Sequence, residues 1–373
     1  MDLVETASLL DRARREIDEG LLPAAQVALA LDGEVVVSEA FGDATPGTRF
    51  VAFSATKALI ASVMWQLITE GKIDPADRVV DHIPTFGAHG KDAITVEQVM
   101  LHTSGFPYAP MGVPDWWTRE GRLAKMETWR LTWEPGTRYE YHATTAHWVL
   151  AELIEIHTGL PYGDALQQRV TDPLGLPRLL GVRADDGGGP IAELRAVGEL
   201  PSPEEIEATF GVRIDLSQLI GPEVGTESLL GLNRPEAHEL GIPGGGGIMR
   251  ASDLATFYQA LLHDPKGLWD AELLTDVTSR VRNTFPDLMG TPANRSLGLV
   301  IAGDDGKAHL RGMGRTVSPR AFGHNGAGGQ IAWADPATGL SFVYFTSGLD
   351  QHLLRSHRRG TALASLAAAC VTA

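Results

Sequence analysis

The chain has 373 residues, of which 43% are hydrophobic and 21% charged, the balance of a folded globular protein rather than a disordered one. Its 31 Lys and Arg stand against 47 Asp and Glu, a formal charge of −16 that disfavours phosphate backbones and anionic lipid surfaces as partners. One cysteine, Cys370, excludes an internal disulfide and a cysteine-based zinc site.

Residues 1–20 read as an amphipathic surface helix, with Leu3, Leu9, Leu10 and Ile17 set among the charges from Asp11 to Glu19. They lack the apolar core of a secretory signal, and no run reaches the roughly 18 apolar residues of a spanning helix. The expectation is a cytoplasmic protein. Ala24 to Leu31 is a β-rich run, Asp32-Gly33 a hairpin turn, and Glu34 to Phe41 the returning strand. After a short extended run from Arg49 to Phe53, helical periodicity begins at Ser54 and stops at Gly71. From Pro75 to about Pro243 the pattern is mainly helical, clearest from Val149 to His157. Residues 183–226 are rich in Pro, Gly and Glu and read as an excursion or lid. Gly244 to Gly247 is a turn and Asp253 to Leu262 a helix. Strands return at Ser296 to Ala302, Gln330 to Ala334 and Leu340 to Thr346, and an Ala- and Leu-rich helix ends the chain. Strands at both ends with helices between predict an α/β fold. Residues 1–75 and 244–373 would form one domain, and 76–243 an inserted, mainly helical one, with the active site between them.

The chemistry begins at Ser54-Ala55-Thr56-Lys57. A serine on the first turn of a helix meets free backbone N–H groups and the positive end of the dipole. A lysine three residues on shares its face and takes the hydroxyl proton if burial lowers its pKa. The plain alternative is a helix-capping serine followed by a surface lysine. With 16 Ser and 6 Lys in the chain, roughly a quarter of one such match arises by chance. Tyr139 and Tyr141 follow Pro135-Gly136-Thr137-Arg138; a phenolate beside a cation relays a proton, whereas two half-buried tyrosines before a helix would look the same. Phe322-Gly323-His324-Asn325-Gly326-Ala327-Gly328-Gly329 leads into a strand, and such a Gly-rich edge lets backbone N–H groups approach a ligand closely. A hairpin turn carrying a polar His is the alternative.

In this order, and with Leu101-His102-Thr103-Ser104-Gly105 between them, these segments resemble the serine β-lactamase-related superfamily. That superfamily includes class C β-lactamases, D-alanyl-D-alanine peptidases and the family VIII carboxylesterases, to which the likeness is nearest. The resemblance implies a central antiparallel sheet flanked by helices. It implies Ser54 as acylated nucleophile, Lys57 as its base and Tyr141 as the tyrosine of the Tyr-x-Asn motif. The backbone N–H groups of Ser54 and Ala327 would form the oxyanion hole. His324, Asn325 and Gly326 stand where β-lactamases have Lys-Thr-Gly. Two departures matter. Tyr141-His142-Ala143 lacks the amide, and His324 replaces a fixed positive charge, which weakens recognition of a carboxylated amide. The expectation is a carboxylesterase for short or medium acyl groups with at most weak β-lactamase activity. The rivals of the same fold are an acyltransferase, a β-lactamase or D-amino-acid peptidase, and a silent binding protein.

No Gly-x-Ser-x-Gly elbow occurs, and the histidines show no metal-ligand spacing, so neither metal nor cofactor is expected. His102 reads as a structural hydrogen-bonding residue. Asn294-Arg295-Ser296 fits a glycosylation acceptor, without consequence in a cytoplasmic chain. Residues 106–133 hold four of the eight tryptophans, Trp116, Trp117, Trp129 and Trp133. Trp129 and Trp133, with His142, are candidate substrate contacts, and packing between short helices is the other reading.

Overall fold

A computed structural model describes residues 1–183, 186–211, 213 and 225–371. Strands β1 (Ala24–Leu31) and β2 (Glu34–Gly42) form the expected hairpin. Asp32 and Gly33 both take positive φ, +52° and +86°, which matches the turn to the twist of the strands. The central sheet has the order β2-β1-β9-β8-β7-β6, every pair antiparallel, with β6 Val300–Ile301, β7 Phe322–Gly323, β8 Ile331–Asp335 and β9 Leu340–Thr346.

Strands β1, β8 and β9 are buried along nearly their whole length, because helices cover both faces of the sheet. Ala24, Ala28 and Ala30 of β1 join one core with Val343 and Phe345 of β9. The alternate residues Ala25, Val27 and Leu29 join a second core with Phe342 and Tyr344. The second core is closed by helix α1 (Leu3–Asp18), through Leu9 and Ala13, and by the C-terminal helix Leu353–Ala369. The N-terminal segment is therefore a covering layer of the sheet and not only a surface helix. Helix α2 (Lys57–Thr69) and the helix Ala251–His263 lie in the first core, along with the helix Thr145–Thr158.

Two expectations about strands are revised. Of Ser296 to Ala302 only β6 pairs as strand. Gly298 sits at φ +96° with its Cα so close to Ala61 of α2 that an added Cβ would lie 2.2 Å from that methyl, and Trp65 Nε1 donates to the Leu297 carbonyl at 2.8 Å. The segment docks on α2 instead of extending the ladder. Within 183–226, β4 (Arg195–Val197) pairs in parallel with β10 (Gly348–Asp350), and a helix spans Pro203–Phe210. The rest of the lid expectation, at 184–185, 212 and 214–224, lies outside the described residues. Among the described residues no helix is long and apolar enough to cross a membrane.

Candidate active site

Strand β3 (Phe50–Val51), paired with β5 (Ile248–Met249), carries the chain to Ser54. Phe53 holds a positive φ of +46°, a conformation that non-glycine residues rarely take and that is met at functional turns. A 3₁₀ turn, Phe53–Thr56, then runs into α2. Every residue of α2 from Lys57 to Leu67 is buried, so the amine of Lys57 is carried out of water by its own helix.

Lys57 is fully buried. Its Nζ donates to the carbonyls of Ala143 at 2.7 Å and Gly244 at 2.6 Å, and lies 3.1 Å from Ser54 Oγ. Burial, with Arg295 adding to it, holds the amine well below the ordinary lysine range. An unprotonated amine has two N–H bonds and one lone pair. The carbonyls take the two N–H bonds, which leaves the lone pair facing the serine hydroxyl. The four-glycine turn explains itself here: a Cβ on Gly244 would lie 3.1 Å from the Ala143 oxygen and 3.3 Å from Nζ, and one on Gly246 would lie 2.4 Å from the Ile242 nitrogen.

The Tyr141 ring lies close to both the Lys57 amine and the Arg295 guanidinium, with Nζ and Cζ each 5.1 Å from its centroid. Its hydroxyl is buried with no hydrogen bond of regular geometry, although Ser54 is near enough to ease ionisation. Burial pushes the phenol up, opposed by Arg295 and Ser54. Arg295 is 7% exposed; its Nη1 lies 2.9 Å from His324 Nε2, and its Nη2 donates to the Tyr139 hydroxyl at 3.1 Å. His324 Nδ1 faces the Asn325 carbonyl at 2.9 Å, so the ring holds its proton on Nδ1 and accepts from arginine at Nε2. Burial, Arg295 and Lys57 keep it neutral, well below the usual imidazole range. The positive charge expected to be missing at His324 is therefore supplied from 29 residues upstream.

A cavity of about 1230 Å³ opens over this cluster and is lined by Ser54, Tyr141, Arg295, His324 and Ala327. Its other wall is apolar, formed in part by Met111, Val113, Trp116, Trp117 and Ile242. Ser54 and Ala327 both stand in the first turn of a 3₁₀ helix, where backbone N–H groups have no partner within the helix.

Other expectations fail on geometry. Trp129 is 1% exposed, stacks on Phe106 at 5.4 Å and donates to the Pro110 carbonyl; it is core. Trp133 packs edge-on to His142 and beneath Arg138 and does not line the cavity. The tryptophans that do are Trp116 and Trp117, for sequence clustering names a patch without saying which ring faces inward. His142 is buried away from the cavity, its Nδ1 on the Glu140 carbonyl at 2.6 Å and its Nε2 accepting from the Phe106 N–H at 3.2 Å; burial holds it down to about 3. Asn325 lines the cavity, but its side chain is used in bonds to the Gly312 carbonyl and the Ala332 N–H. Gly326 packs its backbone against Ala52, whose oxygen lies 2.4 Å from where a Cβ would stand. His102 is structural, as expected, its Nδ1 accepting from the His142 N–H. The sequence reading missed the Ala143 and Gly244 carbonyls and Arg295. Only the glycine run hints at any of them, and in the sequence Arg295 stands merely as the middle of a glycosylation triplet.

Comparison with known proteins gives the family and the fold. The Beta-lactamase family model matches residues 10–366. The chain is 28% identical over 359 residues to the esterase/beta-lactamase LipL of Mycobacterium tuberculosis (strain ATCC 25618 / H37Rv), covering 90% of this chain and 79% of that protein. A penicillin-binding protein homolog from Caulobacter crescentus superposes with TM-score 0.79 at 25% identity, covering 99% of this chain and 98% of the other. A family VIII carboxylesterase superposes with TM-score 0.78 at 24% identity and the same coverage. The chain belongs to the beta-lactamase family and is a serine hydrolase of that fold.

Proposed function

We propose that this protein hydrolyses carboxylic esters through a covalent acyl-enzyme at Ser54. The observation that carries the reading is the buried Lys57 Nζ, which meets the Ala143 and Gly244 carbonyls and lies 3.1 Å from Ser54 Oγ, so that its unprotonated form turns its lone pair to the hydroxyl. As Oγ attacks the ester carbonyl carbon, its proton passes to Nζ. The backbone N–H groups of Ser54 and Ala327 stabilise the oxyanion, each donor worth about 10²–10³ in rate. Tyr141, between Lys57 and Arg295, hands the proton to the departing alcohol oxygen. Water then attacks the acyl carbon, giving its proton back through the same groups, and Oγ leaves as the serine is restored.

Esters are favoured over acylated amides because Ala143 carries no side-chain amide and its carbonyl is taken by Lys57. The relatives named as esterases support the same class. The apolar wall of Met111, Val113, Trp116 and Trp117 suits an acyl or alcohol chain. The test is a fluorophosphonate probe read by intact mass and peptide mapping, with ester turnover in parallel. One adduct on the Ser54 peptide and loss of turnover in Ser54→Ala are expected. An adduct elsewhere, or full turnover in that variant, would overturn the reading.

A further inference from the structure

Met111, Val113, Trp116 and Trp117, which form much of the cavity's apolar wall, all stand in one short segment, and its two ends are tied down differently. At the start, the Trp129 indole donates to the Pro110 carbonyl at 2.8 Å. At the end, the helix Arg119–Thr128 follows at once. A Cβ on Gly121 of that helix would lie 2.5 Å from the Asp115 carbonyl oxygen, so glycine lets the turn rest directly on the helix. From the same helix, Arg122 Nη1 donates to the Trp116 carbonyl at 3.4 Å.

Arg122 is buried and does not line the cavity. Its guanidinium lies 5.6 Å from the Trp148 ring and 5.8 Å from the Tyr162 ring, and Nη2 donates to Glu155 Oε2 at 2.9 Å. Trp148 and Glu155 belong to the helix Thr145–Thr158, which follows Tyr141, and the Trp148 ring stands 6.5 Å from that of Trp116. One side chain therefore joins the tryptophan wall to the helix beside the catalytic tyrosine. Stability alone does not call for an arginine there, since a well-packed apolar side chain often serves a buried site as well as an ion pair does. What the planar fork adds is orientation: one edge meets a carboxylate while another nitrogen holds a carbonyl. We infer that Arg122 is a positioning residue, which fixes the tryptophan wall against the helix Thr145–Thr158 and so decides which chain shapes the cavity accepts. This rests on the ester-hydrolase reading of the site and names what sets its selectivity. Arg119, half exposed, pairs with Glu152 of the same helix, so the two helices stay docked when Arg122 is changed.

Two matched pairs of esters test it, each setting a linear chain against its branched isomer. One pair carries the chain on the acyl side, p-nitrophenyl hexanoate against p-nitrophenyl 3,3-dimethylbutyrate. The other carries it on the alcohol side, hexyl against 3,3-dimethylbutyl acetate. Each kcat/KM is divided by the ester's own rate of alkaline hydrolysis, which removes intrinsic reactivity. In the wild type, one pair at least should differ by about tenfold or more, the weight of a misplaced methyl group in an apolar pocket. Arg122→Lys keeps a charge opposite Glu155 but has no fork to hold the Trp116 carbonyl as well. It should keep the melting temperature and the turnover of p-nitrophenyl acetate, which has no chain to lay on the wall, while the ratio falls towards one through KM. In a Trp117→Ala background the same change should move the ratio less, because effects that act through one wall are not additive. Ratios near one in both pairs of the wild type, or a wild-type ratio kept in Arg122→Lys, would overturn the inference while ester hydrolysis stood. Titration of hexanamide and 3,3-dimethylbutanamide, followed by tryptophan fluorescence, reads the same wall without turnover. Selective binding that is lost in Arg122→Lys, with no ester hydrolysed, would uphold the positioning role and overturn the hydrolase reading.

Discussion

Replacing Lys57 by methionine keeps most of the side chain's length and removes the amine, and the structure fixes what should follow. Two buried carbonyls, on Ala143 and Gly244, lose donors at 2.7 and 2.6 Å. An orphaned buried acceptor costs about 1–3 kcal/mol, so the variant should be less stable by about 2–6 kcal/mol at pH 10. The gap should then narrow as pH falls, because the wild-type lysine is itself unfavourable. Burial depresses its pKa in the native state, whereas the unfolded value is 10.5. Between the two, the unfolded chain holds one proton that the native chain lacks, so wild-type stability rises with pH across that window. The penalty is full below the native pKa and vanishes above 10.5. Methionine does not titrate, so the difference should shrink by about 1.4 kcal/mol for each pH unit below 10 within the window. Urea unfolding of both proteins from pH 7 to 10 measures this, and other ionisable groups cancel in the difference. Ester kcat/KM should fall by about 10²–10⁴, the usual weight of a general base. A gap independent of pH, or turnover within tenfold of wild type, would refute the neutral-amine argument.

Trp117→Ala should shift ester preference towards bulkier acyl groups with little loss of stability, since this ring is 41% exposed at the cavity wall. Trp129→Ala should lower stability by about 3–5 kcal/mol and scale all esters alike; a profile of acyl lengths with thermal melts separates the two, and the reverse pattern would refute the assignment. His324→Lys sets an ammonium against Arg295, whose Nη1 is now 2.9 Å from His324 Nε2. In so dry a place a second unpaired cation should destabilise by about 3–5 kcal/mol and reduce ester turnover. An unchanged melting temperature with faster penicillin or cephalosporin hydrolysis would show that His324 is a simple substitute for lysine.

That last prediction marks how far the residues could be read without the fold. The sequence makes His324 look like a lost positive charge, because the residue that restores it lies 29 positions earlier. Nothing in the Asn294-Arg295-Ser296 triplet signals that the Gly298 contact with Ala61 will swing this segment into the cavity. The tryptophans fail for a related reason. Four rings within 28 residues announce an apolar patch, but Trp129 turns inward on Phe106 whereas Trp117 faces the cavity.

Short-range spacing was readable because it is set by backbone geometry. A Ser and a Lys three residues apart at a helix start share a face in any fold. The near-continuous apolar runs of β1 and β9 demand a sheet covered on both sides, whatever covers it. Asp32-Gly33 requires a hairpin. What turns the Ser54–Lys57 pair into chemistry is long-range. The carbonyls that take the amine's protons come from 86 and 187 residues away, and the dryness that lowers its pKa is a property of the packed core. Desolvation and charge depend on which atoms meet in space, and only the tertiary structure decided that.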